Sequence, residues 1–190
     1  MNKTENLTIK ETFALAVQNH QKNNLKVAEN LYKKILKTDP NHASAHNNLG
    51  LVFQAFGEFQ KARSCYEKAI QLNSNQADMH NNLANVLREL GELQKAMDYY
   101  EKSIQINPNY ADAHYNLGAV FNKLGENQKA ISCYEKVIQI NPNYESAYNN
   151  LGVVFNELGK DPKAISYFQK AIEINPNYAS AHNNLGAIFM

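Results

Sequence analysis

No tryptophan occurs in this chain of 190 residues, and only two cysteines do. Cys65 and Cys133 cannot build a disulfide framework, and no C-x-x-C pair is present to hold zinc. An excess of charge is missing too: 19 Lys and Arg stand against 18 Asp and Glu, a formal net charge of +1. A nucleic-acid footprint wants a basic excess, and an acidic tail or membrane-surface arm wants a run of one sign. No apolar run approaches the ~18 residues of a membrane span. The opening MNKTENLTIKETF is polar and mixed in charge, unlike a signal peptide. G-x-x-x-x-G-K, G-x-G-x-x-G, G-x-S-x-G and H-E-x-x-H are all absent. These absences point to a cytoplasmic protein with no cofactor, no bound metal, no nucleic-acid or membrane partner and no catalysis of its own. Residues 1–5 are expected to be disordered, and the glycosylation-like triplets at Asn2 and Asn6 read as chance matches.

Asparagine is what the chain has in abundance. There are 28, about 15% of the residues, against an ordinary share of roughly 4–5%. They form no low-complexity tract, because they sit at regular places among apolar residues. Glycine and proline show the rule. Gly57, Gly91, Gly125 and Gly159 are 34 apart. Gly50, Gly118, Gly152 and Gly186 make a second lattice, with Ala84 in its gap. Pro40, Pro108, Pro142 and Pro176 make a third, with Ser74 in its gap. Segments 111–144 and 145–178 are identical at 20 of 34 positions. A fixed period of this length is the mark of a repeat array.

Within a period the apolar spacing is helical. Ala111, His114, Leu117, Gly118 and Phe121 recur at i, i+3, i+4 spacing until Gly125. Ala130, Ile131, Tyr134, Val137 and Ile138 then repeat the pattern until Asn141-Pro142. The spacing predicts two amphipathic helices of about 13–14 residues. Glycine ends the first by tolerating positive φ, and proline stops the second. Asn41, Asn75, Asn109, Asn143 and Asn177 are expected to cap the helices that follow them, with Asp112 near one helix dipole. Thr8 and Glu11 have the spacing of a capping box.

The small residues have a packing task. Gly50, Ala84, Gly118 and Gly152, with Ala62, Ala96, Ala130 and Ala164, should let paired helices approach closely. Tyr32, Tyr66, Tyr100, Tyr134 and Phe168 should face the first helix of each pair. Tyr110, Tyr144 and Tyr178 should staple neighbouring units. Cys65 and Cys133 share their place with Tyr99 and Tyr167 and read as fillers. His46, His80, His114 and His182, with Tyr148 in phase, read as packing residues. Stacked helices would hold them roughly 8–10 Å apart, too far to share a metal.

A 34-residue helix–turn–helix unit with Leu117-Gly118, Phe121, Gly125, Ala130, Tyr134, Val137 and Pro142 in these places resembles the tetratricopeptide repeat. His114 stands where that family often has Trp. In this register residues 1–190 form a single all-α solenoid. A degenerate repeat at 9–42, with Asn23 at the turn, precedes full repeats at 43–76, 77–110, 111–144 and 145–178 and a half repeat at 179–190. That makes about five and a half repeats and eleven helices. The resemblance implies a right-handed superhelix whose first helices line a concave groove.

The recognition residues are expected in that groove. Asn48, Asn82, Asn116, Asn150 and Asn184 recur in the middle of first helices. There Asn costs about 0.5–0.7 kcal/mol relative to Ala. The row resembles the asparagine ladder of the O-GlcNAc transferase superhelix. The resemblance implies that these amides, each with two donors and an acceptor oxygen, bond the backbone of an extended peptide. Asn47, Asn81, Asn149 and Asn183 border the row, Tyr115 interrupts them, and Asn85 joins the groove set. The plain alternative is that repeat duplication carried polar residues along. The first repeat departs from the row, with Phe13, Ala14 and Val17 in groove positions. The lysine of carboxylate-clamp relatives is absent, since Asn47 and Asn81 stand in its place. Nor is the groove basic, as RNA-binding helical repeats require.

The final AHNNLGAIFM leaves Leu185, Ile188 and Phe189 without a second helix to cover them. Two expectations follow. Residues 1–190 are part of a longer protein, with a catalytic region of glycosyltransferase type beyond them. Alternatively, a second copy of the chain covers this surface and builds a homo-oligomer through the C-terminal helix. A protein or peptide is the expected partner in the first; in the second the chain is a self-associating structural scaffold with no specific peptide groove.

Overall fold

The computed structural model describes residues 7–189. The disorder expected at 1–5 and the triplets at Asn2 and Asn6 lie outside that range. Among the described residues there are eleven α-helices and no strands. The odd-numbered first helices are α1 (Ile9–Gln21), α3 (Ala43–Ala55), α5 (Ala77–Glu89), α7 (Ala111–Lys123), α9 (Glu145–Glu157) and α11 (Ala179–Ile188). The second helices are α2 (Leu25–Thr38), α4 (Phe59–Leu72), α6 (Leu93–Ile106), α8 (Asn127–Ile140) and α10 (Asp161–Ile174). Each complete period yields a helix of 13 residues and one of 14, as the periodicity predicts. The helices divide between two compact units, residues 1–106 and 107–190.

In the first unit α1, α3 and α5 each pack on their own second helix, and α3 touches both α1 and α5; in the second unit α7 and α9 pack on theirs, and α9 touches both α7 and α11. Packing of this kind makes stability nearly a sum over neighbours. The core of a repeat is one aromatic ring set into small residues. Tyr32, Tyr66, Tyr100, Tyr134 and Phe168 are at most 1% exposed. Ala28, Ala62, Ala96, Ala130 and Ala164 beside them are fully buried. The ring explains the glycine opposite. A Cβ on Gly152 would stand 2.5 Å from Phe168 Cε1, and one on Gly50 would stand 2.7 Å from Tyr66 Cε1. Repeat 77–110 accommodates Ala84 at this place.

The turns match expectation at their glycines. Gly125 has φ +74°, and Asn23, which replaces glycine in the first repeat, has φ 60°. Asn tolerates this region better than most residues, which fits its choice here. The capping box also forms: Thr8 Oγ1 accepts from the Glu11 N–H at 3.2 Å, and the Glu11 carboxylate accepts from the Thr8 N–H at 2.9 Å.

The expected asparagine caps are not where the spacing put them. His42, Gln76, Tyr110, Tyr144 and Tyr178 hold the cap position, one residue after Asn41, Asn75, Asn109, Asn143 and Asn177. Of these five only His42 caps with its side chain, its Nδ1 accepting from the Ala45 N–H at 3.2 Å. The capping asparagines instead give their backbone N–H to a carboxyl or amide oxygen two residues earlier. The acceptors are Asp39, Asn73, Asn107, Asn141 and Asn175, at 3.1–3.3 Å. The residue before the proline lattice thus closes a local side-chain turn. That turn consumes the N–H that a helix start would leave free, and the helix begins one residue later.

Candidate functional site

The two asparagine rows lie side by side on the first helices, and packing treats them differently. Asn47, Asn81 and Asn149, the row expected at the border, are buried to 4–6% exposure. Asn48, Asn82, Asn116, Asn150 and Asn184 are half-buried, as is Asn85, while Asn183 is exposed. Adjacent positions on a helix point about 100° apart, so only one of each pair can face the neighbouring helix.

Buried amides need partners, and these find one another. In residues 1–106, Asn82 Nδ2 donates to Asn47 Oδ1 at 3.3 Å. Asn47 Nδ2 donates to Asn48 Oδ1 at 3.3 Å, and Asn48 Nδ2 donates to the Tyr32 hydroxyl at 3.3 Å. In residues 107–190 the same relay runs from Asn184 to Asn149 at 3.0 Å and from Asn149 to Asn150 at 3.3 Å. Asn150 then donates to the Tyr134 and Tyr115 hydroxyls at 3.2 Å each. Each relay joins three consecutive repeats through side chains alone. An amide offers two N–H donors and two lone pairs. Asn82 and Asn184 each commit one N–H to the relay, and their carbonyl oxygens remain outside it. Asn85 is used differently: its Oδ1 accepts from the Tyr100 hydroxyl at 2.7 Å.

Two repeats put a ring where the buried row has asparagine, Tyr115 in repeat 111–144 and Phe13 in the first repeat. Tyr115 stands 5.2 Å from Tyr144, centroid to centroid, and 5.8 Å from Tyr134. In the first repeat Phe13 stacks on His42 at 5.0 Å. Both pairs have a spacing of 29 residues, a signal present in the sequence but not used to find them. The groove positions expected for Phe13 and Val17 are half-buried, and Ala14 is exposed.

Two of the expected tyrosine staples form, at Tyr144 and Tyr178. The Tyr144 hydroxyl donates to Asp112 Oδ1 at 3.1 Å, and the Tyr178 hydroxyl donates to Ser146 Oγ at 3.2 Å. Burial first, and then the Asp112 carboxylate, push the Tyr144 phenol up, so it stays a protonated donor. Burial likewise pushes Tyr100 up to about 12 and the Cys65 thiol up to about 11, which leaves Cys65 an unreactive filler at neutral pH.

The histidine lattice has a local use. The Nε2–H of His46, His80, His114 and His182 donates to the carbonyl of Pro40, Ser74, Pro108 and Pro176 at 2.8–3.0 Å. Each ring thus locks the turn before its own helix. Among the described residues no three His, Cys, Asp or Glu side chains converge as a metal site would need. No described helix is long and apolar enough to cross a membrane.

Comparison with known proteins agrees with the geometry. Tetratricopeptide repeat models match residues 43–76, 65–98, 111–144 and 146–178, and a TPR repeat model matches 84–125. No curated protein matches the sequence. Among solved structures, MamA is 33% identical with a TM-score of 0.78, covering 86% of this chain and 96% of its own. YrrB, described as a TPR protein with an unusual peptide-binding site, is 25% identical with a TM-score of 0.75, covering 93% of this chain and 91% of its own. PilF of Pseudomonas aeruginosa shares the fold, with 24% identity and a TM-score of 0.85 over 95% of this chain and 84% of its own. Period, paired helices, ring-in-glycine core and these matches agree: the chain belongs to the tetratricopeptide repeat family, whose members bind proteins and peptides.

Proposed function

We propose that this chain is a cytoplasmic, non-catalytic scaffold that holds extended protein segments along its asparagine row. The observation that carries the reading is the relay. Its internal bonds fix each amide in one orientation while Asn82 and Asn184 keep an N–H and a carbonyl oxygen outside it. Pre-oriented amides can bond a peptide backbone without paying to be ordered, and they read no side-chain sequence in doing so. The peptide-binding site described for YrrB supports the same use of this fold. Asn116, Asn150 and Asn48 extend the row, Asn47, Asn81 and Asn149 hold it from behind, and Asn85 and Asn183 flank it.

The test is the triple variant Asn82→Ala, Asn116→Ala, Asn150→Ala. Its helical content by circular dichroism should match the parent, and its affinity for captured peptides should fall by about tenfold or more, from two or three lost hydrogen bonds. Peptides held at full affinity would sink the ladder. Self-association is the second reading. Light scattering on the same samples reads it directly.

A further inference from the structure

The ring pair in repeat 111–144 has surroundings that the amide relays lack. Tyr115 and Tyr144 are half-buried, with ring planes inclined by 32°. Asp112 is exposed and binds the Tyr144 hydroxyl through Oδ1. Glu145 follows Tyr144 in the chain, and both carboxylates act on that phenol. Glu157, one repeat on, acts on the Tyr134 hydroxyl, which shares the Asn150 amide with Tyr115. Among the described residues no Lys, Arg or His forms an ion pair with Asp112, Glu145 or Glu157. Lysines elsewhere on the chain do find rings and carboxylates. Lys129, for example, stands over Phe121 and pairs with Glu126.

We propose that Tyr115, Tyr144 and Asp112 form a subsite that takes one basic side chain of the bound peptide, arginine in preference to lysine. The inference rests on the peptide-binding reading above. A phenol ring face attracts a cation, and a nearby carboxylate supplies the second contact. A guanidinium is planar, so it can lie on a ring and still present two N–H groups to Asp112. An ammonium does one or the other. The amide row then holds the peptide backbone without regard to sequence, and this subsite sets which residue lies in repeat 111–144. The sequence itself marks the change: the row that reads Asn at 47, 81, 149 and 183 reads Tyr at 115.

The test uses the full chain and four labelled peptides of a Gly-Ser-Ala background, with Arg, citrulline, Leu or Glu at one central place. Citrulline keeps the shape of arginine and removes the charge. Fluorescence anisotropy should show the Arg peptide binding about tenfold more tightly than the citrulline peptide, the size of a partly desolvated cation–ring contact. The Glu peptide should bind weakest. Two variants borrow residues that other repeats carry at the same places, so folding is preserved: Tyr115→Asn and Asp112→Ser. Each should reduce the Arg preference to about twofold or less while the Leu peptide still binds. Arg and citrulline peptides that bind alike, but lose affinity in the asparagine triple variant, overturn the subsite and leave the ladder standing. An Arg preference that survives both substitutions also overturns it. Failure of all four peptides to bind overturns subsite and ladder together.

Discussion

Repeats 111–144 and 145–178 share 20 of 34 residues, yet they close the row that holds Tyr115 and Asn149 by different chemistry. The later repeat uses Asn149, buried and accepting from Asn184. The earlier one uses Tyr115, half-buried, with its ring against Tyr144 and its hydroxyl receiving the Asn150 amide. Below the row the two repeats agree. Tyr134 and Phe168 occupy the same buried place against Gly118 and Gly152. The row therefore changes its chemistry without disturbing the ring-in-glycine core. The residues that fill the core and those that close the row are different residues of one helix pair.

The strongest way to break this comparison is to attack the core. Phe168→Ala removes a ring that is 1% exposed and leaves a cavity between α9 and α10. It should cost about 3–5 kcal/mol. Tyr115→Asn, which only exchanges one closure for the other, should stay within about 1 kcal/mol. Urea denaturation of both variants checks the contrast, and equal losses would erase the distinction.

Next in size is the turn. Gly125→Val puts a β-branched residue at φ +74° and should cost about 1–3 kcal/mol. The reverse experiment, Asn23→Gly at φ 60°, should be neutral or slightly stabilising. Thermal melts of the pair sharpen the comparison by showing whether the degenerate first repeat tolerates what the regular ones do not. Nothing lies close enough to Gly125 for a new Cβ to clash, so the whole effect is backbone strain.

The smallest expected effect is on pH. Burial holds His114 below its ordinary pKa of 6.5, against the opposing bond to the Pro108 carbonyl, and burial lowers His20 as well. The unfolded chain then binds the proton more readily. Stability should be full above pH 6.5 and should decline as pH falls from there through the depressed folded value. Tyr148 holds the equivalent place one repeat later, so His114→Tyr is tolerated by the lattice. It should flatten part of that decline and leave the part due to His20. An unchanged slope in acid-limb melts would mean that the His114 environment is not what the geometry indicates.

The period made most of the fold legible. Glycines and prolines 34 apart mark where helices stop, and the expected lengths of 13–14 residues are those observed. The capping asparagines failed because spacing alone cannot choose between two adjacent turn residues. The turn closed by Asn107 or Asn141 consumes the N–H in question, and that depends on three-dimensional geometry. The asparagine rows were visible, but which row is buried was not. That choice depends on how far α9 is rotated against α11, a tertiary quantity. The Tyr115–Tyr144 contact left only a non-local trace, the 29-residue spacing it shares with Phe13 and His42.

The relays have one more consequence. Helix packing couples a repeat only to its neighbours, but the hydrogen-bonded line from Asn184 through Asn149 and Asn150 to Tyr134 crosses three repeats. Each bond in it that crosses between repeats donates toward the earlier repeat, and the line from Asn82 to Tyr32 has the same sense. Bonds arranged head to tail polarise one another. Losses from single substitutions along such a line will therefore not add, and each line carries a built-in direction across the repeats it joins.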